Sequence, residues 1–166
     1  MSLVDELNRI SRGEFVARVG AIYEHSPWVA ERAFMVRPFR NIEHLHEAMQ
    51  VAMLSALPEE KLALIRAHPE LLGKLEAAEL TAASRREQAS AGLERCTPEE
   101  KTRMRSLNAA YREEFGFPFI VAVKGMDWAG IIERMQQRLA RTPDEEVATA
   151  LAEIGRIARF RLEALA

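Results

Sequence analysis

Apolar residues recur at helical spacing along much of the chain. Three such stripes are Phe15, Val19, Ile22 and Tyr23, then Ile42, Leu45, Met49 and Met53, then Val147, Leu151, Ile154 and Ala158. Residues three and four positions apart share one face of an α-helix, and an apolar face packs into a core. The stripes therefore predict amphipathic helices, and core packing explains them without any further role.

Helix-start signals separate the stripes. Three pairs of residues have the spacing of a capping box: Ser11 with Glu14, Thr97 with Glu100, and Thr142 with Glu145. Proline is placed for a first helical position at Pro27, Pro98 and Pro143. Stripes and start signals together predict helices near 3–10, 13–24, 27–36, 42–56, 59–67, 70–78, 85–95, 98–115, 128–140 and 143–164.

This pattern predicts an all-α fold, a single-domain multi-helix bundle of about nine to ten helices over residues 1–166. Two places interrupt it. Pro69 disfavours helical geometry at His68, so the preceding helix should end at or near His68. Residues 117–125 follow a helix-ending Gly116 and form one short, buried extended segment. Its backbone N–H and C=O groups need partners, which a ligand, side chains or water could supply.

Composition narrows the class of protein. The chain has 166 residues, 48% of them hydrophobic, which is enough for one sizeable core. Its 23 basic and 25 acidic residues are interspersed and sum to a net charge of -2, so no basic stripe is available for nucleic acid. No run approaches the roughly 20 apolar residues of a membrane span, so no membrane association is expected.

The location predicted from the sequence is cytoplasmic. The first residues, MSLVDELNRI, lack the basic and apolar segments of a secretion signal. Cys96 is the single cysteine, so the chain cannot form an internal disulfide or a thiolate zinc cluster. These features fit a reducing compartment.

His68 is the first candidate for chemistry. Its imidazole stands at a helix end and is held by the following proline, and imidazoles exchange protons near neutral pH. A surface or capping histidine is an equally good account of the spacing alone.

Glu87 is the second candidate, and it has a good structural explanation. Ser84 and Glu87 have the spacing of a capping box, which favours a purely structural role by about two to one. A helix N-terminus also offers free N–H donors to an anionic or carbonyl-bearing ligand, with Gln88 alongside as an amide.

Arg161 is the third candidate, because it falls seven residues after Ile154 and three after Ala158, on or beside an apolar stripe. A buried guanidinium needs a partner, which an acidic side chain such as Glu87 could supply. A substrate carboxylate or ureido oxygen would match it equally well. No metal site is predicted, since His44 and His46 point to different sides of a helix. No phosphate loop, nucleophile elbow or Schiff-base lysine stands out.

Four motifs in order identify a family resemblance. They are His68-Pro69-Glu70-Leu71-Leu72-Gly73-Lys74, Ser84-x-x-Glu87-Gln88-x-x-Ala91-Gly92-Leu93, Asn108-x-x-Tyr111-x-x-x-Phe115-Gly116-Phe117-Pro118-Phe119-Ile120, and Glu153-Ile154 with Arg161-Leu162. Together they resemble the 2-oxo-4-hydroxy-4-carboxy-5-ureidoimidazoline (OHCU) decarboxylase family of urate breakdown, over nearly the whole chain.

The resemblance implies an all-helical enzyme that usually forms a homodimer, needs no cofactor and converts OHCU to (S)-allantoin and carbon dioxide. It implies that His68 is the catalytic histidine and that Glu87 and Arg161 are the other polar site residues. The substrate-contacting positions that it implies are Pro69, Ser84, Arg85, Arg86, Gln88, Phe119, Ile120, Val121, Ala122 and Val123. Glu70 and Leu72 depart from the usual motif, where aspartate and a small residue are common, so they bear on affinity more than on the reaction.

The chemistry agrees with the residues present. In OHCU the carbon that carries the carboxylate adjoins a C=N carbon, so the electrons left by carbon dioxide can enter the imine without an external electron sink. The hypothesis is that His68 handles the proton, Glu87 sets its protonation state and orients the substrate hydroxyl, and Arg161 with Gln88 holds the polar ring atoms. Two alternatives are a helical binding or scaffold protein and a hydrolase or isomerase of a related ureido heterocycle.

Overall fold

Capping residues set where the helices begin. Ser11 Oγ accepts from Glu14 N at 3.3 Å, and Ser11 N donates to Glu14 Oε2 at 2.8 Å. Thr97 and Glu100 form the same reciprocal pair, with both distances 3.1 Å. Thr142 Oγ1 also accepts from the backbone N–H three residues later, at 3.3 Å. Each bond satisfies an N–H group that the first helical turn leaves without a partner.

The computed structural model describes residues 1–71, 86–87 and 97–166. Outside residues 86–87, which are also helical, these ranges form eight α-helices: α1 (Leu3–Leu7), α2 (Arg12–Val19), α3 (Trp28–Ala33), α4 (Ile42–Leu54), α5 (Pro58–Ala67), α6 (Pro98–Phe115), α7 (Trp128–Leu139) and α8 (Pro143–Leu165). Two 3-10 helices, Gly20–Ile22 and Phe34–Val36, extend α2 and α3. No β-strand occurs in the described residues, and the predicted all-α class is confirmed.

Most predicted helices lie within a few residues of the observed ones. The helix expected over 13–24 changes to 3-10 geometry after Val19. The one expected over 70–78 falls mainly outside the described residues, and Glu70 and Leu71 are not helical. Of the helix expected over 85–95, Arg86 and Glu87 are helical and the remainder lies outside the described part of the chain.

The chain divides into two compact units. The first comprises Met1–Ala67 with Ile154–Ala166, and the second comprises His68–Glu153. The division falls within α8, whose residues up to Glu153 belong to the second unit. No helix in the described ranges is both long and apolar enough to cross a membrane.

The core of the first unit is built on α2, α3 and α4. α3 packs against both α2 and α4. The ring of Phe15 lies 5.4 Å from that of Phe34 and 5.9 Å from that of Phe39, measured between centroids. Arg37 Nη1 donates to the carbonyl of Ile10 at 2.7 Å, which satisfies an acceptor after the end of α1. The predicted stripe on α2 is therefore core.

The core of the second unit is built on α6, α7 and the first part of α8. α6 packs against α7. Met104 and Tyr111 of α6 and Ile131 and Met135 of α7 are fully buried. Because α6 supplies both core and polar side chains, it is the element that positions the candidate site residues of this unit.

Candidate active site

His68 directly follows the last residue of α5. It is 6% exposed, and Pro69 after it is half-buried. The proline disfavours helical geometry at the preceding residue, so α5 ends at Ala67 and the imidazole stands in a turn. The prediction that the helix ends at or near His68 is confirmed.

One face of α6 holds the turn that carries His68. Asn108 Nδ2 donates to the carbonyl of Leu71 at 2.6 Å. Four residues further along the helix, Arg112 Nε donates to Glu70 Oε1 at 2.7 Å. Residues four apart lie one above the other on a helix, so these two bonds fix successive points of the turn. Glu70, which departs from the usual motif, is thus one of the residues that anchor it.

The segment after α6 is a buried, non-helical run, as predicted. Gly116 ends α6 with φ 77°, in the left-handed region that favours glycine. Residues 119–123 are each between 1% and 6% exposed. Gly125, with φ 80°, closes the run in a turn in which Met126 N donates to the carbonyl of Val123 at 2.9 Å.

The same face of α6 supports this run through an aromatic cluster. The ring of Tyr111 lies 5.4 Å from that of Phe119 and 6.0 Å from that of Phe117, with edge-to-face geometry. The Tyr111 hydroxyl donates to Glu146 Oε1 at 2.5 Å. Burial, and then this bond to a carboxylate, raise the pKa of Tyr111 above its ordinary value, so the phenol stays neutral.

Arg161 is buried, as its place on the apolar stripe predicts, with 7% exposed. Its Nη1 donates to the carbonyl of Ile22 at 3.1 Å, and its Nη2 donates to Glu24 Oε1 at 2.9 Å. Glu24 is 1% exposed. Glu24, which the sequence patterns did not single out, therefore forms a buried ion pair with Arg161, one of the three candidate residues.

The loop around Glu24 is fixed locally. Ser26 Oγ donates to the carbonyl of Glu24 at 2.9 Å. His25, between them, has φ 48°, a left-handed conformation that is uncommon for a residue other than glycine. Glu24 follows Tyr23, the last residue of the first apolar stripe, and this place on a buried face is the sequence signal that could have identified it.

Glu87 is helical and half-buried, and Arg86 beside it is exposed. Ser84, Arg85 and Gln88 lie outside the described residues, and so does the predicted capping box between Ser84 and Glu87.

The candidate residues are distributed over both units. His68, Pro69, Arg86, Glu87 and the run Phe119–Val123 belong to the second unit. Arg161 and its partner Glu24 belong to the first.

A second buried arginine, Arg138, was also missed from the sequence. It is 2% exposed, and its Nε donates to Glu146 Oε1 at 2.7 Å. It falls seven residues after Ile131 and three after Met135, both fully buried. The rule that singled out Arg161, a charge placed on an apolar stripe, would have found Arg138 as well.

Comparison with known proteins gives one consistent family. The family model for OHCU decarboxylase matches residues 8–163. A 2-oxo-4-hydroxy-4-carboxy-5-ureidoimidazoline decarboxylase of Halalkalicoccus jeotgali is 43% identical over 162 residues, which are 98% of this chain and 90% of that protein. A protein of the same name from Mus musculus is 38% identical over 159 residues, 95% of this chain and 89% of the mouse protein.

A solved structure agrees in fold. The crystal structure of (S)-allantoin synthase superposes with a TM-score of 0.80 at 30% identity, over 98% of this chain. The chain spans 53% of the length of that protein chain.

Proposed function

Since the chain belongs to the OHCU decarboxylase family, we propose that it converts OHCU into (S)-allantoin and carbon dioxide in urate degradation. The observation that carries the proposal is the family match over residues 8–163, which includes His68, Glu87 and Arg161.

The proposed reaction needs one bond cleavage and one directed protonation. The bond between C4 and the carboxylate breaks, and its electron pair forms a C4=C5 double bond while the imine nitrogen takes up a proton. The resulting enol then loses its hydroxyl proton and gains a proton at C5, which gives the C4 carbonyl of allantoin. Because the substrate's own imine accepts the electrons, the protein has to supply orientation, charge stabilisation and a proton to one face.

We assign the proton to His68. A buried imidazole in a turn held by Asn108 and Arg112 has little freedom to change direction, which supports delivery to a single face of C5. Spontaneous decay has no such preference and gives both enantiomers. General acid–base catalysis of this type contributes about 10²–10⁴ in rate.

Three further polar residues are assigned to substrate orientation. Glu87 sets the protonation state of His68 and orients the substrate hydroxyl. Arg161 binds polar atoms of the substrate, because a guanidinium presents several donors in one plane, and its bond to Glu24 fixes the direction of that plane. Gln88 is the proposed amide partner of the ring.

The run Phe119–Val123 is assigned to the ring edge of the substrate. The run is buried, and it pairs with no β-strand in the described part of the chain. Its peptide groups are therefore suited to form hydrogen bonds with the alternating donors and acceptors of the substrate ring. Pro69, Ser84, Arg85 and Arg86 complete the set of proposed contacts, by their match to the family motifs.

Carbon dioxide release tests the proposal against its nearest alternative. OHCU is generated in situ from urate, and dissolved carbon dioxide and allantoin are measured with and without the protein. The proposal expects both to form faster than the background, in equal amounts. A hydrolase or isomerase of a related heterocycle would consume OHCU without accelerating carbon dioxide release, and that result would reject the decarboxylase.

We also propose that the protein is a homodimer. Val51 and Leu54 lie three residues apart on α4 and are 62% and 52% exposed, and Leu57 is 58% exposed. Exposed apolar side chains at the end of a helix and just after it are suited to burial against a second copy. Val51→Lys with Leu54→Lys should lower the molar mass measured by light scattering from two chains to one. Leu165→Lys, at an exposed leucine near the C-terminus, is the control that should leave it unchanged. A monomeric wild type, or a dimer that survives the double variant, would reject this interface.

A cytoplasmic location is proposed as well. OHCU decays spontaneously, so the enzyme that consumes it has to share the compartment in which it is made. Fractionation of cells should place this protein and the urate-degrading activity, which serves as the marker, in the same soluble fraction.

A further inference from the structure

A buried charged cluster in the second unit contacts the run Phe119–Val123. Arg138 of α7 and Glu146 of α8 are 2% and 0% exposed, and Arg138 Nε donates to Glu146 Oε1 at 2.7 Å. The Tyr111 hydroxyl donates to the same oxygen at 2.5 Å. Arg141 Nη1 lies 3.3 Å from the other carboxylate oxygen. One carboxylate thus binds side chains from α6, α7 and the residues that precede α8.

The cluster also holds the run itself. Arg138 Nη1 donates to the carbonyl of Ile120 at 2.5 Å. The central guanidinium carbon lies 4.4 Å from the ring centroid of Phe119, over its face. Two adjacent residues of the run are therefore held by a single side chain, one through its backbone and one through its ring.

Stability alone is a weak explanation for this arrangement. Removing two charges from water is costly, and apolar residues of similar volume often stabilise a core as well or better. What a guanidinium adds is direction, because its planar donors accept only certain positions of their partners. Fixing the Ile120 carbonyl also fixes the direction of the Val121 N–H, because the two groups belong to one planar peptide unit.

We propose that Arg138 and Glu146 are positioning residues, which hold the backbone of Phe119–Val123 in the orientation that receives the ring edge of the substrate. This inference rests on the proposed function, since it concerns the same substrate. Glu146 acts through Arg138 by fixing its guanidinium plane, and Tyr111 supports Glu146. None of the three is proposed to touch the reacting atoms.

The test separates substrate positioning from stability. Arg138→Lys keeps the charge but loses the planar fork, and Glu146→Gln keeps the shape but loses the charge. Both should raise the KM for OHCU and lower the enantiomeric excess of the allantoin formed, with a loss in kcat/KM of about ten- to a hundredfold. Binding of (S)-allantoin, measured by calorimetry, should weaken in parallel.

Two control variants on α7 complete the design. Arg134→Lys changes an exposed arginine of the same helix, and Ile131→Val removes one methylene group from the core of that helix while it leaves all the polar groups of the cluster in place. Both should keep the wild-type KM and enantiomeric excess, even where Ile131→Val lowers the melting temperature.

The outcomes are distinct. If Arg138→Lys does not fold, Glu146→Gln and the milder Tyr111→Phe decide by the same readouts. Folded cluster variants with wild-type KM and enantiomeric excess would overturn the inference, and so would an equal change in Ile131→Val. A wild type that does not accelerate carbon dioxide release from OHCU above the background would instead reject the proposed function, before any variant is compared.

Discussion

Arg161 Nη2 lies 2.9 Å from Glu24 Oε1, and both side chains are buried. The two residues are 137 positions apart, so the pair joins the loop before α3 to the last turns of α8 within the first unit. A buried guanidinium is stable only when its charge is matched, and Glu24 therefore fixes where Arg161 points. The proposed substrate contact of Arg161 depends on that direction.

Glu24→Gln should destabilise the fold and weaken substrate binding. The amide keeps an acceptor but loses the charge, and a hydrogen bond to a charged group contributes about 1.5–3 kcal/mol, so the free energy of unfolding in urea should fall by about that amount. The control is Glu163→Gln, whose half-exposed carboxylate accepts from Arg159 on the same helix and should contribute at most about 1 kcal/mol. Equal losses in the free energy of unfolding for the two variants would show that burial does not strengthen the pair between Glu24 and Arg161.

Asn108→Asp should impair turnover more than Arg112→Ala. The aspartate cannot donate to the Leu71 carbonyl, so the turn that carries His68 loses its buried anchor, and kcat should fall about ten- to a hundredfold. Arg112 is 57% exposed, and loss of its bond to Glu70 should change kcat about threefold or less. Initial rates with OHCU made in situ compare the two. A larger effect in Arg112→Ala would assign the anchoring role to the exposed pair.

Both tyrosines of the chain should resist ionisation while the protein is folded. The sequence contains two, Tyr23 and Tyr111, and burial raises the pKa of each above the ordinary value of 10.0. A raised folded-state pKa contributes stability that is complete below the unfolded pKa and is lost as pH rises above it, so stability should decline above about pH 10. The absorbance of tyrosinate should then appear together with the loss of helical circular dichroism. Half of that absorbance near pH 10, with the helices intact, would show that one phenol is accessible.

The effect of Gly155→Ala on the stability of the fold should depend on the residue at position 50. A Cβ at Gly155 would collide with the side-chain amide of Gln50, whose Oε1 accepts from the Tyr23 hydroxyl at 3.0 Å. Displacing Gln50 breaks that part-buried bond and deprives the buried Tyr23 hydroxyl of this acceptor. The cost is about 1–3 kcal/mol, which exceeds the roughly 1 kcal/mol that alanine gains over glycine in a helix. In a Gln50→Ala background the substitution should stabilise instead. Thermal unfolding of the four variants measures this coupling, and additive effects would contradict it.

Local rules predicted the helices well, because the contacts that start a helix join residues three positions apart. The Ser11–Glu14 and Thr97–Glu100 boxes are such contacts, and both formed. The end of α5 before Pro69 follows from backbone sterics alone. Gly116, with its left-handed φ, likewise marked the end of α6.

Partners distant in the sequence could not be predicted in this way. The stripe that contains Arg161 shows that the side chain is buried, but the choice of Glu24 as a partner depends on how helices pack. The same applies to Arg138 and the Ile120 carbonyl, which are 18 positions apart and meet only once α7 is folded against α6. A periodic pattern identifies a buried charge, and only the tertiary structure identifies what neutralises it.

The central claim is that His68 directs a proton to one face of the decarboxylated intermediate. It is tested most directly by a circular dichroism time course on freshly generated OHCU, with wild type beside His68→Ala at matched helical content. The account predicts a rapid rise of optically active (S)-allantoin with wild type, and with His68→Ala only the slow formation of racemic product. Equal rates and equal optical activity in the two proteins would contradict it.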